Sequence, residues 1–380
     1  MSAGLSERQT ALHADYYAPR FEVRVAGAKL APIQDVLSCK VVMDVNNLTS
    51  FDLSVNNWDE EAFDFKYVDL DTFSVGQRVS IDMGYADRLE PMMTGFITAM
   101  TPRFPESGPP SMSVSGQDDM ILLKGRKPGA GDKKQWTKVY DWEIAQEIAR
   151  RNQLDAEVTK EGPQHEVVVQ KDQDDATFLM ERAKRIDFDC FIRTDLDSKK
   201  AKLHFIAPKD KRDGRPLKVY VFTWGKNLIN FNPRLSIANQ VSKVTVRGWD
   251  PKKKEVVTAT ADASKLPAGG QGSGSSGPDI VARALGSKQE ATVDVPVTSQ
   301  AEADELAKSL LTERAYQFIT GTGRCIGLPD LRAGDVVELR KLGTRFSGDY
   351  YVTKVEHSIS SSGYFTQFDV RRTHDGGSKG

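Results

Sequence analysis

Two stretches of this sequence decide how the rest is read: FSVGQRVSI (Phe73–Ile81), which leads to GFITAM (Gly95–Met100), and LRAGDVVEL (Leu331–Leu339), which leads to GDYYVTKV (Gly348–Val355). Laid over one another they place Gly76 on Gly334, Val79 on Val337 and Ile81 on Leu339. The glycines that open the two segments of each copy are 19 residues apart in the first and 14 in the second, which makes the intervening turn five residues shorter in the second. Two unrelated hairpins with common turn chemistry are the bland alternative. As a repeat, the match predicts two copies of one β-barrel separated by an α+β insert.

The surrounding pattern agrees with strands. Phe21, Val23 and Val25 alternate with polar neighbours, as do Val41, Met43 and Val45, then Phe51, Leu53 and Val55, then Val79, Ile81 and Met83. Such period-two alternation buries one face of a strand. Asn46-Asn47, Asn56-Asn57, Gly76, Gly84 and Gly95 read as the separating turns. In the middle the period changes. Ile144, Ala145, Ile148 and Ala149 recur at helical spacing within Thr137–Leu154, and Ala176, Leu179, Ala183 and Ile186 form a second helix with Asp172 and Asp174 as cap candidates. Strand-like pieces follow each helix, at Glu166–Val169, Phe188–Arg193 and Lys202–Ile206. Strands resume at Lys218–Thr223 and Val241–Arg247. A third helix begins at Ser299 and Glu302, read as a capping box, and is expected to stop by Gly321.

The fold class is therefore mainly β with an α+β insert: two tube-like antiparallel β-barrel domains and a small helical and strand middle domain. The expected divisions are an N-terminal arm (1–20), a first barrel (21–123), the insert (124–215), the start of a second barrel (216–250), an extension (251–297) with a flexible Gly/Ser loop (269–277), the helix and remaining strands of the second barrel (298–375), and a frayed tail (376–380).

Composition excludes several functions. Across 380 residues, 52 Lys and Arg face 53 Asp and Glu, for a net charge of −1. A protein that grips nucleic acid or an anionic membrane carries a basic excess, and this one has none. The first ten residues lack the build of a signal peptide, and the longest apolar runs, such as Met120–Leu123, span four residues, far short of the roughly 20 a membrane helix needs. Cys39, Cys190 and Cys325 stand far apart, which fits a reducing place of synthesis.

No catalytic, cofactor or metal residue is assigned. Gly272–Gly277 matches Gly-x-Gly-x-x-Gly literally, but Lys265-Leu266-Pro267-Ala268 precedes it and Pro278 follows, so the strand before and helix after that dinucleotide binding requires are not expected. The histidines, His13, His165, His204, His357 and His374, are scattered, and His204 and His357 read as ordinary strand positions. Asp172, Asp174 and Asp175 stand at a helix start, where carboxylates cap, without the glycine and distal glutamate of a calcium loop. The basic runs Lys209–Arg215, interleaved with Asp and Gly, and Lys252–Lys254, followed by Glu255, read as solvated loops.

With these stretches in view, the sequence resembles the late control protein D family, the baseplate hub proteins of contractile phage tails, and is similar to the N-terminal hub region of type VI secretion VgrG spikes. The resemblance rests on GLPDLRAGDVVELRKLGTRFSGDYYVTKVEHSISSSGYFTQFDVRR (Gly327–Arg372), on VVVQKDQDDATFLMERAKRIDFDCFIRTD (Val167–Asp195), and on FSVGQRVSIDMG (Phe73–Gly84) with GFITAM. It implies a homotrimer whose six similar barrels surround a channel and join a sixfold tail tube to a threefold spike. It implies as partners a separate spike protein, since no repetitive needle follows the second barrel, a tail tube or tube-initiator protein, and other baseplate proteins. It implies assembly in the bacterial cytoplasm and then a place in a virion tail or extracellular injection particle. Two other classes stay open: a tail-associated cell-wall hydrolase, whose catalytic residues would have to lie in the insert from Lys124 to Arg215, and a carbohydrate- or receptor-binding β-protein. Against the latter, Trp58, Trp136, Trp142, Trp224 and Trp249 are dispersed.

Overall fold

The computed structural model describes residues 8–10, 18–69, 71–86, 88–129, 131–195, 198–208, 211–212, 215–216, 219–251, 253–266, 274–286, 289–292 and 297–376. Most of the expected N-terminal arm, the Gly/Ser loop up to 273, much of the basic run 209–215, Lys252 and the tail from 377 lie outside these residues.

The fold is mainly antiparallel β. The alternating residues of the first half do bury one face: Val23, Val41, Leu53, Val55, Ile81 and Met83 are all fully enclosed. Six strands of that half pair side by side in the order Pro19–Val25, Arg78–Tyr85, Arg88–Arg103, Ser111–Asp118, Ser50–Asn56, Val36–Asp44. Six strands of the second half pair as Val219–Thr223, Val336–Arg340, Gly348–Ser360, Gly363–Arg372, Ile319–Ile326, Asn230–Leu235. In both arrays the chain visits these positions in the same order: first, sixth, fifth, second, third, fourth. One pairing differs in sense, since the first two strands are antiparallel in the first array and parallel in the second.

The duplicated turn carries the same four hydrogen bonds twice. The N–H of Gly76 donates to Ile97 at 2.8 Å and that of Gly334 to Val352 at 2.7 Å; Ile97 and Val352 donate back to Gln77 and Asp335. The backbones of Gln77 and Asp335 donate to Ser74 and Arg332. The side chains of Gln77 and Asp335 in turn accept from the N–H of those same two residues. Both glycines hold positive φ, +90° and +87°, a region costly for any residue with a Cβ.

The ladders also correct the alignment of the second segment. Ile81 faces Met93 and Leu339 faces Gly348, so Gly348 corresponds to Met93 and Gly95 to Tyr350. The turn is three residues shorter in the second copy, not five. A slip of two residues keeps every side chain on its own face, so hydrophobic alternation cannot detect it. Gly84 and Gly95 are strand residues rather than turns: a Cβ at either would lie 2.1 Å from the carbonyl oxygen of Arg88 or Gln117.

The two arrays share one sheet. The last seven residues of Val36–Asp44 pair with the far end of Gly348–Ser360, beyond the point where Val336–Arg340 leaves it. Tyr351, Ile359 and Tyr364 of the second array accordingly pack into the apolar core of the first.

The insert has its own core under helices α1 (Asp141–Arg151) and α2 (Asp175–Arg185). Asp174 caps α2, accepting from Thr177 N–H at 2.8 Å, whereas Asp172 stands outside it with φ +20°. A fourth core corrects the expected course of the second barrel. Lys243–Asp250, assigned to that barrel, pairs instead with Glu255–Asp262 and Gln289–Thr292 in a separate three-stranded sheet. Helix α4 (Gln300–Ala315), which follows the shorter α3 (Gly277–Leu285), covers that sheet through Ala303, Leu306, Ala307 and Leu311. This unit lies between the fifth and sixth strands of the second array, where the first array has only residues 45–49. Gly321 does not end α4; it sits in the next strand, where a Cβ would lie 2.6 Å from the ring of Phe231.

Among the described residues no helix is long and apolar enough to cross a membrane.

Candidate functional site

Charged and polar side chains gather where the insert meets the α4 unit and where the two arrays meet. In the insert, Asp141 opens α1, His165 opens the strand His165–Val169, and Arg182 lies in the last turn of α2. One carboxylate oxygen of Asp141 accepts from Arg182 Nε at 2.6 Å and the other lies 2.9 Å from His165 Nε2. The second ring nitrogen of His165 is 3.3 Å from Glu302 of α4, and Arg185 donates to the same Glu302 oxygen at 3.2 Å. The five-residue cluster thus ties the insert to the α4 unit.

Its electrostatics follow from pairing inside a shielded space. Burial alone would push the His165 pKa down, but hydrogen bonds to Asp141 and Glu302 overcome it and raise the value above the ordinary one. Burial disfavours the Glu302 carboxylate, yet His165, the Thr298 N–H and Arg185 bring its pKa down to about 2. Asp141 is likewise held below the usual carboxylate range by His165 and Arg182 in spite of its burial.

An Asp–His contact within the insert is the arrangement a hydrolase would need, but this one is closed. His165 and Asp141 are buried and both nitrogens of the ring are occupied by carboxylates, which leaves no face for a substrate or a water to be activated. Glu302 shows why the expected capping box is only half formed. Ser299 accepts from the Glu302 N–H at 3.3 Å, but the Glu302 carboxylate turns to Thr298, His165 and Arg185 instead of returning to the Ser299 backbone.

A second cluster sits where the arrays join. His357 is fully buried: Nε2 lies 3.0 Å from the Leu331 carbonyl, and Nδ1 lies 3.0 Å from the Tyr364 hydroxyl. Burial, reinforced by the nearby Arg332 charge, pushes its pKa down to about 3, so the ring is neutral. Arg332, also buried, donates to the carbonyls of Pro329 and Leu331 in its own array and to Pro91 in the other at 3.1 Å. Tyr85 of the first array donates to the Gly327 carbonyl of the second at 2.8 Å.

The remaining sequence candidates fall apart in space or into structural roles. His204 lies buried in the strand Ala201–Ile206, stacked 5.0 Å from Phe191. His374 contacts Thr373, and His13 lies outside the described residues. Asp175 is buried at the start of α2, holding Arg151, Asn152 and Gln170 rather than a metal ion. Among the described residues no group of three His, Cys, Asp or Glu has a metal-holding arrangement. Burial pushes the thiols of Cys39, Cys190 and Cys325 well up, away from reactivity. Gly272–Gly277 does run into a helix, contrary to expectation. Pro278 is no barrier, because proline suits the first turn, and Ser276 and Asp279 cap α3 reciprocally. Among the described residues the element that precedes it is a 3-10 turn, Ala263–Lys265, rather than the required strand.

A family model described as the Alg8 N-terminal domain matches residues 16–361. The chain belongs to that family. The description names a domain and no activity. No curated protein matches the chain. Among solved structures, the 43 kDa tail protein of prophage MuSo2 from Shewanella oneidensis is similar with a TM-score of 0.69 at 14% identity, over 93% of this chain and 98% of that one. A tail protein from Neisseria meningitidis MC58 is similar with a TM-score of 0.65 at 13% identity, over 94% and 97%. The E. coli c3393 protein, described as a type VI secretion component with structural similarity to the T4 bacteriophage tail proteins gp27 and gp5, gives 0.53 at 12% identity, over 93% and 76%. At these identities what is shared is the fold.

Proposed function

We propose that this chain is a structural subunit of a contractile tail or contractile injection system: the baseplate hub, in the manner of late control protein D, acting as a homotrimer that adapts a sixfold tail tube to a threefold spike. The observation that carries this reading is the duplicated six-strand topology. Three chains present six equivalent arrays, each taken as a tube-like barrel, so every tube subunit meets a similar surface although the hub itself is threefold. The fold shared with proteins described as tail proteins supports it. So does the closed state of the insert's Asp141 and His165, which removes the best-placed pair for a hydrolase. The partners are a tube or tube-initiator protein on one side and a spike on the other, with no cofactor.

Light scattering on the purified chain, alone and with tube and spike proteins of the same source, tests this. The expected result is a trimer that joins both partners. A chain that stays monomeric in every mixture and joins neither overturns the proposal.

A further inference from the structure

The internal duplication makes one segment conspicuous. Between the fifth and second strands of its array, the second copy spends only residues 327–335; the first copy spends 57–77, and the surplus folds into a small hairpin, Trp58–Asp59 against Asp64–Phe65. Since the second array reaches the same topology without it, the hairpin is not a requirement of the fold.

Its chemistry is that of a binding surface. Phe63 packs on Trp58 with ring centroids 5.0 Å apart, Trp58 on Phe65 at 5.7 Å, and Phe65 on Phe104 at 5.3 Å. Phe63 nevertheless remains 81% exposed and Phe104 61%. Phe63 also holds a positive φ of +53°, disfavoured for an aromatic residue, in a turn fixed by Asp59, whose side chain accepts from the N–H groups of Glu61 and Ala62. A preorganised cluster of exposed aromatic rings is the composition of an interface anchor. Around it residues 57–77 carry six carboxylates and one cation, Lys66, which is paired with Asp35 at 3.1 Å.

The complementary surface is on the insert of the same sequence. Residues 124–138 carry six cations, Lys124, Arg126, Lys127, Lys133, Lys134 and Lys138, and one carboxylate, Asp132. They lead into the strand Gln135–Val139, which pairs with His165–Val169. That two-stranded sheet buries Trp136 and Val168 on one face and leaves Val167, at 54%, and Val169, at 44%, exposed on the other. We infer that the aromatic hairpin of one copy docks on the Val167 and Val169 face of a second copy, acidic rim against basic rim. This rests on the hub reading and deepens it. Six similar arrays in a ring could mispair, whereas hairpin and insert each occur once per chain, so their head-to-tail contact fixes which array belongs to which neighbour.

The test uses the full chain. Glu60→Lys with Glu61→Lys should weaken self-association, followed by light scattering across a concentration series, at least tenfold. Lys127→Glu with Lys134→Glu should do the same, and the chain carrying all four reversals should regain it. All four positions are exposed, and unchanged thermal melting identifies folded variants. A photoreactive phenylalanine analogue at Phe63, in isotopically mixed chains, should cross-link to 135–139 or 165–169 of a different copy. Association that ignores both reversals, or cross-links that map to another surface, overturns the docking and leaves the hub reading standing. A chain that is monomeric alone but joins tube and spike does the same.

Discussion

Glu302 accepts from the N–H of Thr298 beside its own helix and lies 3.3 Å from His165 of the insert, so a single carboxylate both orders the entry to α4 and holds a second packing unit against it. Glu302→Gln keeps the size but removes the negative charge that faces His165 Nδ1 and Arg185, leaving Asp141 as the carboxylate on His165 Nε2. The expected loss is on the order of 3 kcal/mol, the scale of removing one partner from a buried pair. Glu305→Gln, which breaks only the exposed pair with Lys308, should cost under about 0.5 kcal/mol. Paired urea denaturation curves check the contrast.

Asp118 and His357 should oppose one another in acid. Burial raises the Asp118 pKa to about 7, so its contribution is fully present below the unfolded value of about 3.9 and is lost as pH rises to 7. The His357 pKa is pushed down to about 3, so its contribution is present above the unfolded value of about 6.5 and is lost as pH falls. Between about pH 4 and 6.5 the two slopes, each at most about 1.4 kcal/mol per pH unit, cancel. Relative to the parent chain, Asp118→Asn should lose stability on acidification and His357→Gln should gain it. Thermal melts from pH 4 to 7.5 read both signs.

Gly76→Ala places a Cβ in open space, since nothing lies within 4 Å, so its cost is that of the backbone alone. About 1–2 kcal/mol is expected, with Gly76→Asn costing less because asparagine tolerates left-handed backbone better. Equal penalties at Gly76 and Gly334 would show that the two turns are energetically as well as geometrically equivalent.

Arg332→Leu should cost on the order of 3 kcal/mol, because it strips donors from buried carbonyls in both arrays, Pro91 among them. It also removes the cation that reinforces burial in holding the His357 pKa down, so the loss of stability in acid should become shallower. Denaturation at pH 5 and pH 7 separates the two effects.

The strands, three of the helices and the duplicated turn were legible because each depends on local pattern: alternation at Val79 and Ile81, helical spacing at Ile144 and Ile148, a glycine where φ must be positive. The register between copies was hidden by the two-residue period itself. The fourth core escaped because Val244 and Val246 alternate as any strand does, and nothing local says which sheet such a strand will join. Helix α3 was lost to a reading of Pro278 as a breaker when it stands in a first turn. The His165 cluster was invisible because its members come from α1, α2, α4 and one strand. The one signal available was that Glu302 could not both cap α4 and do anything else. Tryptophan spacing likewise suggested dispersal, while the structure gathers Trp58 with three phenylalanines that lie close to it in space.

Gly348–Ser360 belongs to both arrays at once, exchanging Val336–Arg340 for Val36–Asp44 along its length. A thrust delivered to one array therefore reaches the other through a continuous backbone ladder rather than through a linker. Sliding the arrays past one another along this strand would load its hydrogen bonds together, in shear, instead of one by one. In the hub role proposed above, that would make the junction a transmitter of force, with bending left to the units appended around it.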